Sequence, residues 1–575
     1  MSKLLDTLKP YKNTITLIML LVLSNSLAQL YLPTLMSDIV DIGIVRGNTD
    51  YILKIGVWML FVAAGGTACA ILAGFLSARV ATGFARNVRS KVFSQVESYS
   101  LQDFDSLGTA SLITRTTNDI TQLQQFLIMT LRMMLSAPMM CIGGIIMAVL
   151  QDAKLSLLLI VVIPILAAII IVVSLKALPL FKAIQTKLDK LNLVLRERLT
   201  GIRVIRAFNR TSYEKERFVA ANTDLTNTTI RVSQIMAVLM PLLILIMDYT
   251  TIAVIWFGSL RIAAGEMQVG SLMAYIQYVM QIMFSLIMLS MMFVMIPRAS
   301  ASAVRINEVL KKENKSSDPL KPAVPAITRG LIEFADVTYS YPGAENPALQ
   351  NISFTAQPGE MTALIGSTGA GKSTLLNLIP RFFELDSGQI LIDGTDIRQI
   401  RPQDLRAQIG YVPQKALLFT GTIAENIRFG KKEATDEEVK QAAQTAQAEE
   451  FITGMEHGYD AYIAQGGLNL SGGQKQRLSI ARALVRKPKI YLFDDSFSAL
   501  DFKTDAKLRS ALKKDVAQAA VLVVAQRVST VIHADKIIVL DEGRIVGCGA
   551  HQELLKSCRV YQEIVSSQLA EEETA

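Results

Sequence analysis

The sequence predicts a membrane protein of two parts, a six-helix, all-α transmembrane domain followed by an α/β domain with a phosphate-binding loop. Of the 575 residues, 51% are hydrophobic, more than a soluble protein of this size carries, and the long apolar runs end near residue 297. The second half contains Gly366–Ser373, which fits G-x-x-x-x-G-K-[ST] at every fixed position. We therefore place the transmembrane domain at 1–312, a polar, proline-rich linker at 313–329 and the α/β domain at 330–575.

Six apolar stretches are each long enough to cross a bilayer, which takes ~20 helical residues. They lie at about 14–36, 52–77, 126–150, 155–175, 236–260 and 270–296. Basic residues concentrate before the first stretch, after the second, after the fourth and after the sixth. Because basic loops stay on the cytoplasmic side, both termini and the two long connections are predicted to be cytoplasmic. The absence of a cleavable targeting segment fits a bacterial inner membrane.

The two long connections, 78–125 and 176–235, contain many helix formers and few glycines or prolines. They are predicted to be helices that extend from the membrane into the cytoplasm, with turns over Phe104–Gly108 and Thr200–Gly201. A helix of ~25 residues reaches roughly 35–40 Å at 1.5 Å per residue, enough to carry motion between a soluble domain and the membrane. Two stiff hairpins with no such role are the alternative.

Ionisable residues inside apolar stretches are costly and mark function by default. Arg132 lies early in the third stretch and Asp248 in the middle of the fifth. Either side chain could line a polar cavity and bind substrate, or pair with another helix, or reach the membrane surface. The sixth stretch is rich in methionine, which adapts to varied apolar ligands but also packs against helices and lipid. Its methionines are Met273, Met280, Met283, Met288, Met291, Met292 and Met295.

The net charge of +8 does not indicate nucleic acid as a partner, because much of the basic charge flanks the apolar stretches, where it sets orientation. The four cysteines show no paired spacing, so neither a disulfide framework nor a metal cluster is expected.

The phosphate-binding loop is preceded by an apolar strand pattern, Thr362–Ile365, and followed by a helical pattern, Leu375–Ile379. In that context glycines let backbone N–H groups turn towards a β-phosphate, and the helix directs its positive end at the same anion. Lys372 is expected to reach the β- and γ-phosphates and the Ser373 hydroxyl to bind Mg²⁺. The predicted phosphate-binding residues are Gly366, Ser367, Thr368, Gly369, Ala370, Gly371, Lys372, Ser373 and Thr374.

Other residues of the second half have side chains suited to the same chemistry. Tyr341 could stack on a base or pack as an ordinary aromatic, and Gln414 follows a strand where its carbonyl could ligate Mg²⁺. Asp494 ends an apolar strand and is the expected acid on the Mg²⁺ side, acting through water. A Leu-Ser-Gly-Gly-Gln sequence starts a predicted helix, so its hydroxyl and N–H groups form a second anion-binding site. That site comprises Ser471, Gly472, Gly473 and Gln474, after Leu470.

With these motifs in this order, essentially the whole chain resembles the ATP-binding-cassette exporters, as a half-transporter of the six-helix (type IV) kind. The resemblance implies that two such domains enclose two ATP molecules, each between one chain's phosphate loop and the other chain's signature. It also implies that the two predicted turns are coupling helices. The implied site residues are Tyr341 for the adenine, Gly366–Thr374 for Walker A, Gln414 for the Q-loop, Leu470–Gln474 for the signature, Asp494 for Walker B and Asp501 for the D-loop.

Two positions depart from the family pattern. The residue after Walker B, normally the glutamate that polarises water, is Asp495, and the histidine at the end of the last strand is Gln526. None of the three histidines in the sequence lies near that strand end. Aspartate is about one C–C bond, roughly 1.5 Å, shorter, and a displacement of ~1 Å can cost on the order of 10²-fold in rate. We expect this chain's own site to bind ATP and hydrolyse it slowly. An active site that tolerates both changes is the alternative.

The intact signature would complete a competent site on another chain. The leading hypothesis is therefore one subunit of a bacterial heterodimeric, multidrug-type exporter of hydrophobic or amphipathic compounds, whose partner carries the glutamate and histidine. A homodimeric exporter or lipid flippase with an active site is one alternative. A membrane-bound nucleotide-sensing regulator is another, and uptake by the same architecture is not excluded.

Overall fold

The computed structural model describes residues 4, 6–312, 329–498, 500–515 and 517–572. The predicted linker lies outside the described residues except for Arg329. The chain divides into two compact units, of which the first comprises Met1–Glu97 with Gly108–Lys312 and the second Ser98–Leu107 with Glu313–Ala575.

The six predicted apolar stretches all lie in helices, so the predicted all-α membrane domain is confirmed. Within the described residues, the helices long and apolar enough to cross a membrane are Asp6–Ile44, Thr49–Glu97, Thr109–Gln151, Leu157–Thr200, Thr211–Ala263 and Val269–Leu289. The α-helices of this part of the chain are α1 (Lys12–Asp38), α2 (Thr49–Glu97), α3 (Leu101–Leu107), α4 (Thr109–Thr114), α5 (Ile120–Met129), α6 (Leu135–Gln151), α7 (Leu157–Thr200), α8 (Ile202–Ala207), α9 (Thr211–Ala263) and α10 (Val269–Lys311). A 3₁₀ turn, Asp6–Tyr11, precedes them, and π-helical turns are interposed at Ile39–Ile44, Arg115–Asp119 and Thr130–Met134.

The membrane unit is held together by apolar packing with a few polar ties between distant helices. Tyr278 of α10 is fully buried, and its hydroxyl donates to the carbonyl of Leu30 on α1 over 2.9 Å. At the start of α10, the Asp41 carboxylate accepts from the N–H groups of Gly270 at 2.6 Å and Ser271 at 3.0 Å. A carboxylate at a helix N-terminus satisfies free donors and complements the helix dipole, so Asp41 fixes where α10 begins.

The predicted turn over Phe104–Gly108 is wrong for all but its last residue, because α3 occupies Leu101–Leu107. The Ser100 hydroxyl accepts from the Asp103 N–H at 3.1 Å and donates to the Asp103 carboxylate at 2.7 Å, an arrangement that starts a helix. Gly108, with φ of 72°, ends it. The second predicted turn lies where α7 ends and α8 begins, at Thr200–Gly201.

The second unit is an α/β domain, as the sequence predicts, and its central sheet is mixed. Strands β12-β11-β3-β10-β9-β6 form the six-stranded sheet in that order, with β12 antiparallel and the others parallel. An antiparallel sheet of order β2-β1-β4-β5 accompanies it, and β7 pairs with β8. The strands are β1 (Ile332–Tyr339), β2 (Leu349–Ala356), β3 (Met361–Gly366), β4 (Ser387–Ile392), β5 (Thr395–Asp396), β6 (Ile409–Val412), β7 (Gly421–Thr422), β8 (Tyr462–Ile463), β9 (Ile490–Asp494), β10 (Ala520–Val524), β11 (Lys536–Asp541) and β12 (Arg544–Gly549).

The helices of this unit surround a core of aliphatic side chains from both faces of the central sheet. They are α11 (Lys372–Leu378), α12 (Pro402–Ala407), α13 (Ile423–Arg428), α14 (Asp436–Thr445), α15 (Glu449–Thr453), α16 (Gly472–Leu484), α17 (Phe502–Asp515), α18 (Val528–Val531), α19 (His551–Ser557) and α20 (Arg559–Glu572). In parallel sheets of this kind, ligands bind at the carboxyl ends of the strands. Here the ends of β3, β10, β9 and β6 lie side by side, so the loops that follow them share one edge.

Candidate functional site

The phosphate-binding loop joins β3, at the centre of the sheet, to α11. Gly371 caps α11 with φ of 94°, and a Cβ there would lie 2.8 Å from the Ala348 carbonyl oxygen. No other residue fits this position without strain. The Lys372 ammonium donates to the carbonyls of Gly366 at 2.8 Å and Ser367 at 2.7 Å. The lysine therefore folds back over its own loop, where its charge faces the space that the loop encloses.

Two predicted Mg²⁺ ligands are already in contact. The Ser373 hydroxyl donates to the Asp494 carboxylate over 2.8 Å, joining α11 to the end of β9. Burial raises the pKa of Asp494 above its ordinary value of 3.8, and the Ser373 hydrogen bond opposes that shift. Burial also lowers the pKa of Lys372, against the attraction of Asp495 and Asp494. A hydroxyl and a carboxylate this close suit one hard cation, so the residues fit Mg²⁺, which would neutralise charge on the β- and γ-phosphates.

Asp495, the residue after Walker B, is buried and its backbone is hydrogen-bonded to β10. It is 8% exposed, its φ is 45°, and its N–H donates to the Val524 carbonyl at 3.0 Å. The Gln414 amide donates to its carboxylate over 3.4 Å, so the predicted Q-loop residue and the predicted water-activating residue meet. Burial raises the pKa of Asp495, with hydrogen bonds from Gln414 and Ser498 opposing it. Because the backbone of Asp495 is hydrogen-bonded to β10, a shift of this backbone that would compensate for the shorter side chain breaks that bond.

Gln526 lies two residues beyond the end of β10, not within the strand, and is exposed. Its carbonyl accepts from the Gln568 amide at 2.7 Å, and the Gln568 carbonyl oxygen accepts from the Val528 N–H at 2.7 Å. Gln568, on α20, therefore spans the loop that carries Gln526. Sequence reasoning missed this residue, since nothing in the local sequence pairs positions so far apart.

Tyr341 is placed beside the loop that it is predicted to serve. Its hydroxyl lies 2.9 Å from the Thr374 hydroxyl, and its ring meets Phe383 edge-on with centroids 5.7 Å apart. The side chain is still 42% exposed, which leaves ring surface free to stack on a base. Tyr339 also meets this ring edge-on, with centroids 5.1 Å apart, so two aromatic rings pack against Tyr341.

The signature residues start α16 as the sequence predicts. The Ser471 hydroxyl accepts from the Gln474 N–H at 3.3 Å, and the Gln474 side chain accepts from the Ser471 N–H at 2.9 Å. This reciprocal capping satisfies two donors and leaves the remaining N–H groups of the first turn available. Open space surrounds Gly472 where a Cβ would be. No hydrogen bond within the described residues joins the signature to the phosphate loop of the same chain.

Asp501 caps the start of α17, where its carboxylate accepts from the Thr504 N–H at 3.0 Å. Hydrogen bonding by the Thr504 side chain and then by the Thr504 N–H lowers the pKa of Asp501, which lies on the surface. The predicted D-loop residue is therefore ionised and exposed.

The two ionisable residues that the sequence places inside the membrane, Arg132 and Asp248, have different surroundings. Arg132 lies in the π-helical turn Thr130–Met134 and lines a cavity that Met288 also lines. Asp248 is exposed on α9 and, among the described residues, has no hydrogen-bond or ion-pair partner.

Of the other methionines of the sixth stretch, Met283 is fully buried, and Met273 and Met280 are 44% and 43% exposed. The side chains of Met291 and Met292 lie outside the described residues.

Four features together define a membrane-embedded nucleoside-triphosphatase. They are a phosphate loop, an adjacent pair of carboxylates, a capped Ser-Gly-Gly helix start and six membrane-length helices. The chain matches the ABC transporter transmembrane region over residues 15–286 and the ABC transporter domain over residues 349–498. It belongs to the ABC transporter family, and it has the fold of the family's exporters. Family membership implies ATP binding and an ATP-driven translocase.

An uncharacterized ABC transporter ATP-binding protein of Mycobacterium tuberculosis is 43% identical over 565 residues, covering 98% of this chain and 97% of the relative. The solved structure of a bacterial Atm1-family ABC exporter with ATP bound superposes with a TM-score of 0.81 at 26% identity, covering 97% of this chain and 98% of that one. Two relatives have a substrate in their names. The fatty acid ABC transporter ATP-binding/permease protein of Mycobacterium tuberculosis is 34% identical, covering 83% of this chain and 75% of its own. The ATP-dependent lipid A-core flippase of Aromatoleum aromaticum is also 34% identical, covering 87% and 83%.

Proposed function

We propose that this chain is one subunit of an asymmetric, ATP-driven exporter, and that its own phosphate pocket holds ATP and hydrolyses it slowly. The observation that carries the proposal is the pair Asp495 and Gln526, where the family has glutamate and histidine. The burial of Asp495 and the hydrogen bond of its N–H to the Val524 carbonyl support it, since they hold the backbone from which the short carboxylate extends. Water activation depends on position, so a shortfall of ~1.5 Å removes most of the benefit of a general base.

The second half of the proposal concerns the signature. The capped helix start at Ser471 and the open space at Gly472 support an approach by phosphate from outside the chain. In the partner's site this signature would face a Walker A loop, a glutamate and a histidine supplied by the partner. ATP at both sites would close the two soluble domains, and hydrolysis at the partner's site would reset them.

The compounds moved are hydrophobic or amphipathic. Methionines that are partly exposed on α10, such as Met273 and Met280, support this class because thioethers adapt to varied apolar shapes. The fatty acid and lipid A-core names of two relatives support lipids or lipid-like compounds. The distribution of basic residues supports cytoplasmic termini and a bacterial inner membrane.

Two purified preparations test the proposal, the chain alone and the chain with its partner half-transporter. We expect little ATPase activity from the lone chain and substantial activity from the pair. Replacement of the partner's glutamate by glutamine should abolish the ATPase activity of the pair. A substrate-flux assay in vesicles containing the pair tests export. Brisk hydrolysis by the lone chain, or an unchanged rate after the partner's substitution, would overturn the asymmetric mechanism.

A further inference from the structure

The membrane unit contains a cavity of about 360 Å³ between four of its helices. This volume lies within the range of small-molecule pockets, ~300–1,000 Å³. Most of the lining is apolar, and Arg132, Asn25 and Ser136 are its polar members. The lining residues are Val22, Asn25, Ala70, Ala73, Ile128, Met129, Arg132, Met133, Ser136 and Met288.

Arg132 gives this cavity its charge. No acidic side chain is among the described residues that line it, and the guanidinium has no hydrogen-bond or ion-pair partner within the described part of the chain. An unpaired cation within a membrane stretch is costly, and such residues usually mark a site. The π-helical turn that carries Arg132 is itself a distortion of the kind found at functional positions. Arg132 and Met288 are both exposed, so they lie at the mouth of the cavity.

The cavity lies in the cytoplasmic half of all four apolar stretches. Its lining runs from Ile128, near the end that we place on the cytoplasmic side, to Asn25, deeper in the first stretch, and Arg132 lies between these depths. At 1.5 Å per residue the lining extends ~3–17 Å below the cytoplasmic edge of the apolar core, with Arg132 at ~9 Å. An amphiphile from the cytoplasmic leaflet would therefore meet the cavity with its head group near the guanidinium and its chain against the methionines.

We propose that this cavity binds an amphiphile with an anionic head group, a carboxylate or a phosphate, through Arg132. The proposal deepens the function proposed above and rests on it for the direction of loading. Arginine forms paired, charge-assisted hydrogen bonds with carboxylate and phosphate alike, so the shared chemistry is the anion. The thioethers of Met129, Met133 and Met288 would accommodate an acyl chain without demanding one shape.

Equilibrium binding to the purified full-length chain in detergent, without ATP, tests the site. The probes are radiolabelled oleate, oleoyl lysophosphatidate, oleyl alcohol and oleylamine, which share one chain and differ in the head group. We expect Arg132→Gln to weaken oleate and lysophosphatidate binding by about tenfold or more, and Arg132→Lys, which keeps the charge but loses the paired hydrogen bonds, to weaken it less. Binding of oleyl alcohol should not change. Arg79→Gln is the matched control, since this α2 arginine does not line the cavity.

A second variant leaves Arg132 in place. Asn25→Asp adds a carboxylate to the cavity with little change of volume, and should weaken oleate binding while strengthening oleylamine binding. Dependence on Arg132 for only one of the two anions would support the site and identify carboxylate or phosphate as its ligand. Binding of both oleate and oleoyl lysophosphatidate that is unchanged in Arg132→Gln, or equal losses in Arg79→Gln, would overturn it. This result is separate from the ATPase comparison, because the binding assay needs neither a partner nor hydrolysis.

Discussion

The phosphate pocket and the signature belong to one soluble unit, yet they differ in completeness. The pocket brings Lys372, Ser373 and Asp494 together, but continues with Asp495 and Gln526 where the family has its water-activating and phosphate-sensing residues. The signature has its full sequence and a capped helix start. In the proposed mechanism the chain is deficient in the site that it builds for itself and fully equipped for the site that it completes. Mutations in the two regions should have very different effects on the same complex.

The largest expected effect is at the signature. Ser471→Arg removes the capping hydroxyl and fills the space that a phosphate would enter, so ATPase activity of the complex with the partner should fall by about 10²–10³-fold. In the proposed mechanism the chain's own pocket contributes little turnover, although its ATP helps to close the two domains, so Lys372→Ala should lower the same activity less than Ser471→Arg does. Steady-state phosphate release from both complexes measures the difference.

Binding of a fluorescent ATP analogue to the isolated chain supplies the control. Ser471→Arg should leave that binding intact, and Lys372→Ala should remove it, because this lysine is expected to contact the phosphates. If Lys372→Ala proves the more damaging change to turnover, the pocket is the working site and the comparison is reversed.

A smaller effect, in the opposite direction, is expected when the pocket is completed. Asp495→Glu together with Gln526→His restores the length of the carboxylate and a proton-bearing group, so the lone chain should hydrolyse ATP up to about 10²-fold faster. Asp495→Asn with Gln526→His is the matched control and should stay slow. Equal rates in the two double variants would mean that the slow step lies elsewhere.

The smallest effect concerns pH. Burial raises the pKa of Asp494 and of Asp495 above 3.8. At neutral pH both groups are therefore ionised at a cost to the stability of the folded state, and that cost declines as the pH falls through the raised pKa values. Mg²⁺ binding needs the ionised Asp494 carboxylate, so affinity for Mg–ATP should fall on acidification, beginning at a higher pH than for an exposed aspartate. Titrations of the lone chain from about pH 7.5 to about pH 5 measure this trend. In Asp494→Asn the remaining binding should lose most of that dependence, and a wild-type affinity that is flat with pH would contradict the assignment.

Much of this molecule could be predicted because its signals are local in sequence. The loop from Gly366 to Ser373 and the helix start at Ser471 use the chemistry of a few neighbouring residues, and the apolar stretches are continuous. At Leu101–Leu107 the local composition predicted a turn, whereas the family resemblance implied a helix; the helix is present, and the Ser100 hydroxyl accepts from the N–H of Asp103 at its start. The contact of Gln568 with the Gln526 loop and the π-helical turn at Arg132 depend on tertiary packing, which leaves no pattern in the neighbouring sequence.

The hydrogen bonds of Gln568 to the loop that carries Gln526 connect α20 to the candidate site. Two hydrogen bonds of this kind contribute about 1–3 kcal/mol together, so fraying the final turns of α20 would release a loop at the catalytic edge of the sheet. We expect an affinity tag or fluorescent protein joined after α20 to weaken these hydrogen bonds. An N-terminal tag avoids this effect and is the safer choice for measuring turnover.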